Sequence, residues 1–233
     1  MIFLSFYDRI KVANIIIEEL KNNYWNKLKK AYNLIHEPYG YETHIAPEMQ
    51  EFLKMDYSTT SKHIRFTPDY ILSRKISKNN IKTILLEYKV TRTPRYTLGN
   101  KQWDNGQIEA DAWDNYMNLN NAKVDVAILI YCPYHSRPLL CDYPGEQWIT
   151  NNRQRPKNSA GSGTEYVNIN FKKLRTFDEF MEDEFLISRN ITESLLTKQF
   201  FHRLKTNPYL TILHHKNSNY KYPIGFNWEK RYC

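Results

Sequence analysis

Residues 65–90 read Arg-Phe-Thr-Pro-Asp-Tyr-Ile-Leu, then Ser-Arg-Lys-Ile-Ser-Lys-Asn-Asn, then Ile-Lys-Thr-Ile-Leu-Leu-Glu-Tyr-Lys-Val. The outer blocks have the composition and length of strands, and the block at 73–80 is a polar connector, so the stretch predicts two strands joined by a turn. Side chains alternate along a strand, which puts Glu87 and Lys89 on one face and Tyr88 on the other. If the strand carrying Asp69 pairs with the strand carrying Glu87, two carboxylates and one ammonium converge. Glu87 and Lys89 interrupt a run otherwise suited to burial, where a charge is costly unless it is paired or metal-bound. The alternative is that both form the solvated face of an edge strand.

Two carboxylates beside a lysine have the chemistry of a hard-cation site. Mg²⁺ prefers about six oxygens and commonly takes only one or two carboxylates from a protein, leaving its other positions to water and phosphate. Asp69 and Glu87 are therefore the candidate metal ligands. Lys89 is placed to stabilise charge on phosphoryl oxygens or to orient an attacking water. Glu19-Leu20-Lys21 has the same acid-x-Lys spacing, but it lies in a helical stretch and carries no such meaning.

Pro68-Asp69 followed by Glu87-Tyr88-Lys89 resembles the PD-(D/E)XK nuclease superfamily, which includes most type II restriction endonucleases, several Holliday-junction resolvases and phage exonucleases. The resemblance covers Pro68 to Lys89. It implies an α/β fold with a central mixed β-sheet flanked by helices, the acids standing where two central strands diverge. It also implies catalysis by Asp69, Glu87 and Lys89 with Mg²⁺, for which Mn²⁺ can substitute, giving 5′-phosphate and 3′-hydroxyl ends. Nucleases of this kind often add a glutamate from a helix before the Pro-Asp strand. On a short helix opening at Pro47, Ile45, Met49, Phe52 and Leu53 define the buried face; Glu48 lies about 85° from its centre and Glu51 about 145°. Glu48 reaches inward more easily and is the candidate third ligand, with two exposed helix acids as the alternative. Several branches place a glutamine on the helix after the acid-x-Lys strand, and Gln107 is the matching candidate. The Gln-x-x-x-Tyr pattern of some recombination exonucleases is absent, because Asp111 stands at the Tyr position.

At 233 residues the chain suits one α/β domain spanning 1–233, with an N-terminal helical elaboration over about 1–40 and a long polar loop over about 134–164. Its formal net charge of +8 favours polyanionic partners and draws DNA by long-range attraction. Cys132, Cys141 and Cys233 form no Cys-x-x-Cys pair and are odd in number, which argues against structural zinc and a disulfide framework. Cys141 is expected in a loop. The N-terminus lacks a basic n-region and a cleavage site, and no apolar run approaches membrane-spanning length, so a soluble, cytoplasmic protein is expected.

Residues 7–35 show apolar positions at helical spacing, including Ile10, Ala13, Ile17, Leu20, Tyr24 and Leu28, with an interruption near Asn22-Asn23. Lys27, Lys29 and Lys30 form either a solvated face or a DNA contact. After Lys89 comes a basic, aromatic loop in which Arg92, Arg95 and Lys101 are candidate phosphate clamps, while Tyr96 or Trp103 can pack on sugar or base. A helix is expected from about Asp104 to Leu119, with Ile108, Ala112, Tyr116 and Leu119 inward. Residues 123–132 should be a buried strand of a doubly covered sheet. Asn151 to Asn158 carries Arg153, Arg155 and Lys157, either a base-reading loop or a solvated one. A strand at 166–171 and helices at 176–187 and 192–205 complete the pattern. His202, His214 and His215 have no partners at ligand spacing. No glycine-rich phosphate loop and no Gly-x-Ser-x-Gly occurs, which argues against nucleotide hydrolysis and esterase chemistry.

The expected function is a Mg²⁺-dependent endodeoxyribonuclease acting on double-stranded DNA, in the first instance a type II restriction enzyme working as a homodimer. The alternatives are a structure-specific nuclease, such as a junction resolvase or a viral or mobile-element enzyme, and a non-catalytic DNA-binding protein on the same sheet.

Overall fold

The computed structural model describes residues 14–39, 68–90, 105–131, 139–154, 165–196, 200 and 203. Eight strands are described: β1 (Ile35–Pro38), β2 (Tyr70–Ser77), β3 (Asn80–Val90), β4 (Asn105–Glu109), β5 (Val126–Tyr131), β6 (Leu139–Asp142), β7 (Ile149–Gln154) and β8 (Tyr166–Asn170). Five of them form a mixed sheet in the order β1-β2-β3-β5-β6. The β3–β5 pair is parallel and the others antiparallel. Every residue of β5 is buried, as a strand must be when both faces of its sheet are covered. Ala127, Leu129 and Tyr131 enter one core, and Val126, Ile128 and Ile130 enter the other. This is the expected α/β architecture, a central mixed sheet flanked by helices.

Among the described residues, helical segments cover the first face. Helix α1 runs from residue 14 through a π-helical turn at Lys21–Trp25 into Asn26–Tyr32. The turn falls where Asn22-Asn23 suggested an interruption, and Asn23 explains it. Its side-chain amide donates to the Glu19 backbone carbonyl at 3.0 Å and to the Glu19 carboxylate at 2.9 Å, competing for the acceptor that the regular helix uses. Ile16, Leu20, Tyr24, Trp25 and Leu28 bury beneath α1 against Phe177, Phe180 and Phe185 of α3 (Phe177–Phe185). Helix α3 starts with a complete capping box: Thr176 accepts from Glu179 N–H, and the Glu179 carboxylate accepts from Thr176 N–H, a pairing that satisfies two otherwise orphaned donors. Helix α4 (Arg189–Leu195) follows, and residues 200 and 203 are also helical.

On the second face, helix α2 (Ala110–Asn121) and a three-stranded sheet, β4-β8-β7, close over Ile128 and Ile130. Asn120 ties α2 to β5, its side chain accepting from Val126 N–H at 2.8 Å and donating to the Val126 carbonyl at 3.1 Å.

Several boundaries differ from expectation. The connector at 73–80 is mostly strand, with only Lys78 and Asn79 outside β2 and β3; its polar residues decorate the ladder, as in the 2.9 Å contact between Ser73 and Thr83 hydroxyls. The end of the N-terminal helical segment is β1, an edge strand of the main sheet. Within the expected loop at 134–164 lie β6 and β7, and Cys141 sits buried in β6. No described helix is long and apolar enough to cross a membrane.

One half-buried group on the first face links stability to pH. His36 of β1 stacks on Trp25 at 4.4 Å and on Tyr70 at 4.4 Å, and its Nε2 lies 3.0 Å from the Tyr88 hydroxyl. That hydroxyl accepts from the Trp25 indole N–H at 3.0 Å, so its single proton is available to a neutral His36 Nε2. Burial, with a smaller contribution from Lys21, lowers the His36 pKa to about 3. Between about pH 6.5 and pH 3 the unfolded chain therefore takes up a proton that the folded chain refuses. The stabilisation is full above the unfolded value and is lost as pH falls through this window, by up to roughly 4 kcal/mol. Urea unfolding at pH 7.5 and 4.5 should show a smaller acid loss in His36→Gln than in the wild-type chain; equal losses would exclude this linkage.

Candidate active site

Strand β3 lies between β2 and β5 in the middle of the main sheet. The edge-strand reading of Glu87 is therefore excluded, and Glu87 is only 4% exposed. Alternation does what the sequence requires. Ile84, Leu86 and Tyr88 enter the first core, Leu85 packs on the second, and Glu87 and Lys89 project on that second side. Ile128 and Ile130 of β5 stand beside them in register. A carboxylate in these surroundings needs a partner, and Lys89 supplies one, its Nζ 2.7 Å from Glu87 Oε1.

Asp69 enters from the neighbouring strand. The β2–β3 ladder pairs Tyr70 with Leu86, which sets Asp69 opposite Glu87 where the strands part. Beyond the last ladder pair the Asp69 carboxylate takes over the ladder's role, accepting from Tyr88 N–H at 2.8 Å. The Asp69 carbonyl in turn accepts from Tyr39 N–H at 2.8 Å. The carboxylate is thus fixed by β3 backbone and the Asp69 main chain by the residue that follows β1, and the carboxylate's charge is felt by Lys89 and Tyr116.

The electrostatics follow from burial. Desolvation raises the Glu87 pKa, opposed by Lys89 and by the Tyr116 hydroxyl. For Lys89, burial alone would depress the ammonium, but Glu87, Glu109 and Asp69 more than reverse this and its pKa is raised. Lys89 is a cation at neutral pH. Tyr116 of α2 is buried, and desolvation followed by the nearby carboxylates holds its hydroxyl firmly protonated. Among the described residues, Glu87 Oε2 and the Tyr116 hydroxyl are buried on this side without a hydrogen-bond partner, as is the Trp148 indole nitrogen of the same core. Glu87 and Tyr116 each face the other's electrostatic field without a well-formed bond between them.

This arrangement fits a hard divalent cation. The donors are carboxylate oxygens, and one of them, Glu87 Oε2, is left unsatisfied by the protein. Among the described residues no group of three or more His, Cys, Asp or Glu side chains is gathered as a metal cage. Two carboxylates suffice for Mg²⁺, which usually keeps several waters and shares its shell with phosphate.

Gln107 needs correction. It is not in the first turn of a helix but in β4, where its side-chain amide donates to Asn168 of β8 at 2.9 Å. The residue that reaches Lys89 is Glu109, two positions on along the same strand, its Oε2 3.9 Å from Lys89 Nζ. Sequence reading missed it because Ile108, Ala112 and Tyr116 fit one helical stripe. All three are buried, but Ile108 reaches the core from a strand. Alternation in Gly-Gln-Ile-Glu (106–109) is the signal that finds it.

Glu48 and Glu51, the loop residues Arg92, Arg95, Tyr96, Lys101 and Trp103, and Arg155 and Lys157 lie outside the described residues. So do Cys132, Cys233, His202, His214 and His215. Arg153 is in β7, its side chain outside the described set.

No protein-family model matches the chain, and no curated protein matches it in sequence. Among solved structures it is similar to a nuclease from a fusselovirus, at 13% identity over 84% of this chain and 96% of that one, with a TM-score of 0.39.

Proposed function

We propose that the chain is a metal-dependent endodeoxyribonuclease that hydrolyses phosphodiester bonds of double-stranded DNA, as its resemblance to the PD-(D/E)XK superfamily implies. One observation carries the reading: a carboxylate, Glu87, buried in the central strand with one oxygen on Lys89 and the other unsatisfied, beside an Asp69 fixed at the divergence of two strands. Burying such a pair is costly and adds little stability over apolar residues of similar size, so its placement points to function.

Asp69 and Glu87 would hold Mg²⁺, with Mn²⁺ able to replace it. Bound there, the ion supplies Lewis-acid polarisation of the phosphate and a more acidic water. Lys89 stays protonated beside its carboxylates, so it acts as a donor that stabilises charge on the phosphoryl oxygens and orients the attacking water, rather than as the base. Tyr116, held neutral under the same carboxylates, stands on the same side without a formed hydrogen bond to Glu87. The net charge of +8 draws the polyanionic substrate.

Within this chemistry the reading is a type II restriction enzyme. β7 is an outer strand of the small sheet and carries Asn151 to Gln154, at the start of the Asn-, Gln- and Arg-rich stretch whose residue types read base edges in the major groove. A homodimer follows if both strands are cut in one event. Digestion of supercoiled plasmid with Mg²⁺, and of branched and unbranched duplexes in parallel, tests the reading. Discrete, sequence-defined fragments from plasmid support restriction. Cutting of branched substrates alone replaces it with a structure-specific nuclease, and DNA binding without any nicking replaces both with a non-catalytic binding protein.

A further inference from the structure

Lys89 stands between two acids, and the sequence motif accounts for only one of them. Its Nζ is 2.7 Å from Glu87 Oε1 and 3.9 Å from Glu109 Oε2. The acids differ in setting: the Glu87 side chain is 5% exposed and that of Glu109 is 28% exposed. Glu109 belongs to the junction of β4 and α2, so it is carried by backbone that owes nothing to β3. The second independent sign is the buried, unpartnered Glu87 Oε2, with the unpartnered Tyr116 hydroxyl on the same side.

An ammonium and a divalent cation compete for one carboxylate. A cation held by Glu87 would repel the Lys89 ammonium, and in a site largely withdrawn from water that repulsion would be weakly screened. The ammonium must leave Glu87 Oε1 and still find an acceptor, because a desolvated ammonium without one is expensive. Closing the gap to Glu109 from 3.9 Å to an ordinary charged hydrogen bond takes a movement of about 1 Å, within reach of the flexible lysine stem. Movement that small keeps Lys89 beside the place where phosphate charge develops.

We infer that Glu109 is a positioning residue that receives the Lys89 ammonium when a divalent cation takes Glu87, so that cation binding and placement of the lysine are one coupled event. The inference rests on the metal-site reading above. It assigns Glu109 no direct metal bond; its action runs through Lys89. Outer acceptors of this kind commonly govern metal affinity as well as rate.

Calorimetric titration with MnCl₂ in the absence of DNA separates the possibilities, on the wild-type chain, Glu109→Gln, Lys89→Met, the double variant and Glu87→Gln, with thermal melting of each to confirm folding. Glu109→Gln should weaken Mn²⁺ binding roughly tenfold in the wild-type background, and by less than about twofold once Lys89 is methionine, because no ammonium then remains to be placed. An equal loss in both backgrounds would make Glu109 a direct ligand or a simple source of negative potential, and unchanged affinity would remove it from the site; either result overturns the inference while leaving the metal site standing. If the wild-type chain binds no Mn²⁺, or Glu87→Gln binds it as tightly as wild type, the metal reading itself falls and takes the inference with it.

Discussion

Lys89→Met should lower Mg²⁺-dependent DNA cleavage by about 10²- to 10³-fold, the usual cost of removing one preorganised charge or donor from a developing anion, while DNA affinity stays within a few-fold of wild type. The separation follows from the geometry. Lys89 is one cation on a chain of net charge +8, it is half-buried beside Glu87, and its ammonium is already committed to carboxylates at 2.7 and 3.9 Å. On the proposed reading it should contribute little to the long-range attraction of DNA and much to the field at the reacting phosphate. The same substitution strips the counter-ion from a buried carboxylate. Breaking such a pair costs about 3–5 kcal/mol if the remaining charge is kept, and the cost is relieved if Glu87 takes up a proton, to which burial already disposes it. The variant should therefore be less stable at pH 8 than at pH 5.5 relative to wild type. Gel-shift and cleavage assays on one preparation, with urea unfolding at both pH values, check all three expectations; parallel loss of binding and cleavage would mean that Lys89 serves the fold or the DNA contact and not the reaction.

Glu87→Gln should abolish the response to divalent cations. If Asp69 and Glu87 hold Mg²⁺, the ion at tenfold over its dissociation constant should stabilise the wild-type fold by about 1.4 kcal/mol through mass action. The variant should show no such gain and should lose more than about 10³-fold in cleavage, since the metal contributes several kcal/mol to transition-state stabilisation. Asp69 offers an internal contrast. Asp69→Asn keeps an oxygen that can accept from Tyr88 N–H, so the divergence of β2 and β3 should survive while the charge proposed to bind the metal is lost. Asp69→Ala loses that bond as well and should cost a further 1.5–3 kcal/mol or so of stability. Melting curves with and without MgCl₂ on the three variants distinguish a ligand from a strut: a Mg²⁺-induced shift that persists in Glu87→Gln places the cation elsewhere.

The sequence made some of this legible and concealed the rest for identifiable reasons. β3 and β5 stood out because each is a long apolar run, and the charges of Glu87 and Lys89 stood out because they violate such a run. The π-turn in α1 was legible from two consecutive asparagines, which compete with the helix for its own carbonyls. β1 and β6 were not legible. Each has four residues, β1 ending in Pro38 and β6 lying between Pro138 and Pro144, too short for a period of two to register. β4 was misread because Ile108 stands four residues before Ala112, a spacing that serves a strand ending at Glu109 as well as a helix already begun. That misreading selected Gln107 and passed over Glu109. The acids on the sheet were found because their pattern is local; Glu109 is near Lys89 only through the way β4 and α2 fold back over β5.

Cleavage of a sequenced, supercoiled plasmid by the wild-type chain and by Glu87→Gln, prepared identically, with Mg²⁺ and with EDTA, is the decisive comparison. Wild type with Mg²⁺ should cut and leave 5′-phosphate and 3′-hydroxyl ends, while EDTA and Glu87→Gln should each leave the plasmid intact. Cutting that persists in EDTA or in Glu87→Gln, or a wild-type chain that never nicks DNA with Mg²⁺ or Mn²⁺, would contradict a nuclease built on Asp69, Glu87 and Lys89.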